Sequence, residues 1–370
     1  MADTGGQRNT RNRDGWRRLG AFWLAVLALL ATGGGVVQWL GPPTGTPPAV
    51  SGRKPLDPAH REARGGQLPR QGAALVAPVV AGRDTPGPVA DPDPALLEPP
   101  RDGSKQHLPR IAADGRTAMR VYAAGFDHSS RRPRVGLLLA GIGMNEAESD
   151  AAIRALPGAI SLAVSPYAAA NLTKLLATAR ATGHEYLIAI PLEPAGFPLN
   201  DPGPHTLLTS APAPMNARNL YWALSRIDGY IGATGVIGTM RGERLAAMTD
   251  QMEAVLSELA DRGLLYIDPR EGHGAVAKTW GRHVDLVIDD PADQSAADRT
   301  MIDAKLDALE QQARDTGSAL GLVMRPTPVA VARIAAWSNG LADRGLALAP
   351  VSALTMPPAD VPVKLSERQE

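Results

Sequence analysis

From Arg134 onward the chain alternates short apolar runs with longer amphipathic ones. The apolar runs are Val135–Ala140, Ile160–Val164, Tyr186–Ile190, Tyr230–Ala233, Leu264–Asp268, Val284–Ile288, Leu320–Met324 and Leu346–Pro350. They are too short for helices and lack polar alternation, the pattern of strands covered on both faces. Helical periodicity fills most of the gaps, over Asn145–Leu156, Ala168–Thr182, Asn216–Ile227, Arg244–Arg262, Asp293–Thr316 and Val329–Arg344. Gly183, Gly263, Gly317 and Gly345 each stand just before a strand, where glycine closes a helix in a left-handed cap. The stretch 134–156, RVGLLLAGIGMNEAESDAAIRAL, shows one whole unit. A buried strand enters the turn at Gly141 and Gly143, Asn145 caps the next helix, and Glu148 completes a capping-box pattern. Leu156-Pro157-Gly158 stops that helix. About eight alternations over roughly 220 residues predict a distorted (β/α) barrel of about seven to eight strands, with an open doubly wound sheet as the other arrangement. Either fold puts its chemistry at the C-terminal ends of the strands.

The first third of the chain reads differently. Residues 1–18 are polar and carry Arg8, Arg11, Arg13, Arg17 and Arg18. Leu19 to Leu40 is apolar, about 22 residues, which at ~1.5 Å rise each is enough to cross a bilayer. The arginines precede it, so the positive-inside rule puts residues 1–18 in the cytoplasm and the rest of the chain across the membrane. A cleaved signal peptide and a buried soluble helix are the alternatives. The length, the missing small-x-small site and the missing polar face favour an uncleaved anchor. Residues 41–132 are rich in Pro, Gly, Ala, Arg and Asp without lasting periodicity, and read as an extended disordered linker with room for one short helix or strand near Gly115–Ala124. The expected organisation is therefore a tail at 1–18, a transmembrane anchor at 19–40, a linker at 41–132, a barrel at 133–356 and a C-terminal tail at 357–370.

Composition excludes several functions. The formal net charge is zero and aromatics make up 4% of the residues, which leaves neither a basic footprint nor a stacking platform for nucleic acid. Cysteine is absent, so disulfides and thiolate metal sites are excluded. Gly141-x-Gly143 is a fragment of a dinucleotide fingerprint, with Glu146 where its third glycine belongs. Ser161, Ser165 and Ser210 lack a nucleophile-elbow context.

The stretches VGLLLAGIG, AVSPYA, GHEYLIAIPLEPAGFPLNDPGPHTLLT, LSRIDGYIGATGVIGT, LLYIDPRE, LGLVMRPTP and LAPVSAL follow one another through the folded region. In wording and order they resemble the divergent polysaccharide deacetylases. The resemblance runs from Arg134 to Leu354 and implies a distorted barrel acting in carbohydrate metabolism at the bacterial envelope, with Leu19–Leu40 in the inner membrane and the barrel in the periplasm. It also implies a divalent metal such as zinc, which polarises an acetyl carbonyl and activates water beside a carboxylate base. This chain departs from the pattern at each ligand. Ala140 and Gly141 replace the paired aspartates that end strand one. Ala189, Val236, Arg325 and Thr327 replace the histidines of the later motifs. Alkyl groups and a guanidinium do not ligate zinc, and a hydroxyl does so poorly. No cofactor is therefore expected.

Glu193, Asn200, Asp201, His205, Asp268, Arg270, His273 and Arg325 remain near the expected C-terminal face. Glu193 and Asp268 lie in the family's motifs and are a candidate carboxylate pair, against structural roles in the turns LEPAG and IDPRE. Arg325 is a candidate partner for either, and His205 and His273 are candidate ligands of a rebuilt site. His184 and His283 precede strands and are assigned to the opposite, structural face. Trp222 and Trp337 read as core. Three readings stay open: a catalytically degenerate member that binds an envelope glycan or protein, an active hydrolase with a rearranged site, and a structural scaffold.

Overall fold

The computed structural model describes residues 83–99, 107–168, 171–289 and 299–359. Nine strands form one sheet: β1 (Arg134–Ile142), β2 (Ser161–Val164), β3 (Tyr186–Ala189), β4 (Gly232–Thr234), β5 (Leu265–Glu271), β6 (Gly281–Val284), β7 (Leu286–Val287), β8 (Ser318–Val323) and β9 (Ala347–Leu348). Their order is β6-β5-β4-β3-β2-β1-β8-β7, with β9 added on β1, and every pairing between them is parallel. The two ends of that path, β6 and β7, are separated in the chain by Asp285 alone. The sheet thus curls into a nearly closed barrel, and the open doubly wound arrangement is ruled out.

The helices are α1 (Ala118–Val121), α2 (Glu146–Ala155), α3 (Leu172–Ala181), α4 (Ala213–Leu224), α5 (Glu243–Ala246), α6 (Thr249–Asp261), α7 (Arg299–Thr316) and α8 (Pro328–Asn339). Asn145 caps α2 as expected, its Oδ1 accepting from Glu148 N at 3.2 Å. Gly183, Gly263, Gly317 and Gly345 all have positive φ, between 67° and 91°. The single helix expected over Arg244–Arg262 is two, broken at Ala247 and Met248. Likewise, the strand expected over Val284–Ile288 begins earlier and is split. Its first half pairs with β5 and its second with β8, so one kinked strand closes the barrel.

That closure needs side chains, because Asp285 interrupts the ladder. Arg282, 2% exposed, pairs with the Asp285 carboxylate and reaches Ser318 Oγ at 3.3 Å. Asp285 accepts from Leu320 N at 2.7 Å and donates its own N–H to Leu320 O at 2.8 Å. Met356 bridges antiparallel to Gly281, covering the outer edge of β6.

The linker expected over 41–132 does not extend through the described part of that range. Leu96, Ala118, Tyr122 and Phe126 are 0%, 1%, 1% and 6% exposed. Asp93 caps a short 3-10 turn at Pro94–Leu96, and its N–H donates to Tyr122 Oη at 2.8 Å. Ala124 N donates to Glu185 at 2.8 Å. The stretch is a strap across the N-terminal end of the barrel. Its apolar residues fill irregular gaps, which is why no periodicity marks them. The expected membrane span Leu19–Leu40 lies outside the described residues, and among the described residues no helix is long and apolar enough to cross a membrane.

Candidate functional site

Register decides which side chains face the barrel interior, since neighbours along a strand point to opposite faces. A Cβ on Gly321 would meet Leu309 of α7, so Gly321 faces the helix layer and Leu322 faces inward. Leu322 pairs with Leu138 and Leu138 with Ser161, while Ala163 pairs with Leu187. Ala140 and Ala189 therefore lie on the interior row, and Ala189 continues it to Thr234, Ile267 and Arg282. Ala140, Ala189 and Val236 are 0%, 2% and 1% exposed. The expected former ligand positions at the ends of β1 and β3 are thus dry alkyl groups on one inner surface. Thr234 Oγ1, on the same row, is buried without a hydrogen-bond partner.

Gly141 and Arg325 do come together. A Cβ on Gly141 would stand 3.7 Å from Arg325 Cα. The Arg325 side chain is exposed, and its backbone N donates to Asp289 Oδ2 at 3.1 Å. Thr327 has become the N-cap of α8, its Oγ1 accepting from Ala330 N at 3.2 Å.

Arg325 does not supply the cation for Glu193 or Asp268, because each carboxylate has another arginine. Glu193, buried, pairs with Arg244 at 3.0 Å and accepts from Thr209 N at 2.5 Å. Asp268, also buried, is clasped by Arg270 through Nε at 3.0 Å and Nη2 at 2.6 Å. This bond is the first cause holding the Arg270 guanidinium above its ordinary value. Asp268 is one residue off the interior row, so its carboxylate points away from Ala189 and Ala140.

His283 corrects the assignment to the structural face. It pairs in register with Asp268, and its Nδ1 lies 3.4 Å from Asp268 Oδ2. His184 does belong to the structural end, buried between Ile160 O at 2.7 Å and Ile153 O at 3.1 Å. His205 and His273 go elsewhere. His205 stacks flat on Trp222 with centroids 3.7 Å apart, and its N–H donates to Tyr167 Oη at 3.3 Å. Trp222 is therefore a clamp for the 199–206 loop as well as packing, whereas Trp337 is core, with Nε1 donating to Glu310 at 2.8 Å. His273 is 82% exposed, 3.5 Å from Asp285. Asp201 accepts from Gly203 N at 2.8 Å, and Asn200 Nδ2 donates to Ala195 O at 2.9 Å, so both serve their own loop.

Asp289 escaped the sequence reading. It lies two residues past the end of β7, on the inward-facing parity of Val287, and is 6% exposed. Its oxygens accept from Met324 N at 2.6 Å and Arg325 N at 3.1 Å. Burial pushes its pKa up to about 6, against the pull of those two N–H groups. The signal was present in the sequence as an acid closing an apolar run, VIDD.

The residues do not fit the divalent metal that this fold type uses for acetyl hydrolysis. Among the described residues, no three His, Asp or Glu side chains stand where they would hold an ion. The carboxylates that remain are engaged by arginine or by backbone N–H.

A nearly closed parallel sheet with helices between its strands defines a (β/α)-barrel domain. The chain belongs to the divergent polysaccharide deacetylase family, whose model matches residues 137–355. It is similar to the crystal structure of an uncharacterised protein from Agrobacterium tumefaciens C58. That chain is 32% identical, superposes with a TM-score of 0.60, and is covered over 99% of its length by 67% of this one. Among curated proteins none matches.

Proposed function

We propose that this chain is a membrane-tethered member of the family that works in envelope carbohydrate metabolism by binding a glycan, with the deacetylase chemistry given up. The observation that carries the reading is the inner row Ala140–Ala189 together with buried Val236: alkyl groups stand where hydrolysis needs metal ligands. Tethering rests on the apolar run Leu19–Leu40 and the arginines before it. The strap agrees with it. Val89 N donates to Arg180 O near the end of α3, and Phe126 N to Arg83 O, so the described chain enters at the end opposite the strand C-termini.

The experiment is co-sedimentation of the full chain, in detergent, with insoluble peptidoglycan, chitin and cellulose, alongside an acetate-release assay on acetylated forms of each. Retention on one glycan without acetate release is expected. Acetate release with turnover, lost in Asp268→Ala, replaces this reading with a rearranged hydrolase. Retention on none of them favours a protein partner or a scaffold.

A further inference from the structure

We infer that the metal position of this barrel has been filled by the protein's own backbone, the last residues of β1 having closed against the turn from β8 into α8. This deepens the non-hydrolytic reading above and rests on it.

The closest evidence is at Gly141. Its φ is +77°, and a Cβ there stands 3.2 Å from Met324 O and 3.2 Å from Pro326 Cδ. One of those atoms is backbone and the other belongs to a proline ring, so neither swings aside as a flexible side chain does. Aspartate and asparagine tolerate a left-handed φ better than other L residues. The contacts therefore oppose an aspartate at 141 more than the dihedral does, and its carboxylate would begin beside a carbonyl oxygen.

The opposing turn is itself pinned. Asp289 takes Met324 N at 2.6 Å and Arg325 N at 3.1 Å, and Thr327 Oγ1 takes Ala330 N at 3.2 Å. Asp289 ties the turn to the chain beyond β7, and Met324 and Arg325 N–H lose that partner if the turn retreats, while the Thr327 cap holds the first turn of α8. Ala140 precedes this contact, and Ala189 on the same inner row and Val236 are likewise buried alkyl groups. A cation entering here meets the Ala140 and Ala189 methyls, the single hydroxyl of Thr234 and the closed backbone at the end of β1.

The test uses the untagged full chain in detergent, with zinc and cobalt as probes. Metal retained after dialysis, the visible absorption of bound cobalt and the melting temperature are read for the wild type, Gly141→Ala and Gly141→Asp. Substoichiometric metal and no cobalt band are expected in all three. Both variants should melt lower than the wild type, and zinc should restore neither. One tightly held metal per wild-type chain overturns the inference, as does zinc-dependent recovery of Gly141→Asp that Gly141→Ala does not share. Glycan retention on the same samples separates the two claims. Loss of glycan binding without metal uptake removes the proposed function and leaves the closed turn, whereas metal uptake removes the closed turn whatever the glycan does.

Discussion

Replacing Asp289 with asparagine should change how stability depends on pH more than it changes stability at neutral pH. The carboxyl titrates near 3.8 when free and near 6 in the folded chain, because burial outweighs the Met324 and Arg325 N–H groups it accepts from. A raised carboxyl pKa means that between those values the native state holds a proton that the unfolded state lacks. Stability from this group is therefore greatest below about pH 4, falls as pH rises towards 6, and is level above it. Two units at ~1.4 kcal/mol each set an upper limit of roughly 3 kcal/mol. Asparagine removes this dependence and adds a fixed penalty, since one backbone N–H now faces an amide NH₂, on the order of 1–3 kcal/mol. At pH 7–8 the relieved charge burial and the lost hydrogen bond nearly cancel. At pH 4 the penalty stands alone and the variant is the less stable. Other carboxylates act in the opposite sense: Glu310, for example, is held low by Arg344 and Arg314 against its own burial. The informative quantity is thus the difference between wild type and Asp289→Asn, from denaturant melts at pH 4 to 8. A gap that stays constant over that range, or widens towards pH 8, refutes the reasoning.

Glu185→Gln should destabilise by ~2–4 kcal/mol, because its two oxygens accept from Ala124 N, Ser352 N, Ser161 Oγ and Ser352 Oγ and an amide cannot serve all four donors. Faster trypsin cleavage within 107–126 should accompany the loss, and an unchanged melting temperature would remove Glu185 as the clasp of the strap. A chain beginning at Arg83 should unfold cooperatively, whereas one beginning at Pro133 should not. The latter loses buried Leu96, Tyr122 and Phe126, each worth ~1.5–3 kcal/mol, against a typical total of ~5–15. Circular dichroism melts of the two decide it.

The alternation of layers was readable because each unit carries its own punctuation. Gly183, Gly263, Gly317 and Gly345 all take the left-handed φ that their position before a strand implied. The strap was readable only at the short element near Gly115–Ala124, which is helix α1 (Ala118–Val121); the rest was not, because proline-rich sequence that packs irregularly leaves the same trace as proline-rich sequence that does not pack. Nor was the kink at Asp285. One acid inside an apolar run carries no sign that the strand changes partners there, since the reason lies 35 residues on, at Leu320 N. Misplacing the start of that strand moved His283 to the wrong end of the barrel and hid its contact with Asp268.

The site divides along a different line. That Ala140, Ala189 and Val236 offer no donor atom was legible residue by residue, because ligation depends on which atom stands at a strand end, and an alkyl side chain has none. What replaced the ligands was not legible, because backbone closure leaves no residue-type signal beyond a glycine. The same holds for the arginines. Arg325 stood at a former ligand position and drew attention as the compensating cation, yet Arg270 and Arg244 hold the two carboxylates, at 2.6 Å and 3.0 Å. Arg270 is two residues from Asp268, close enough that a strand bulge lets it fold back bidentate, and the register slips between Asp268 and Glu271. Local geometry won over the long-range pairing that the family pattern suggested. Once each carboxylate has a nearby guanidinium and a backbone donor, the electrostatic demand that a metal would have met is already satisfied.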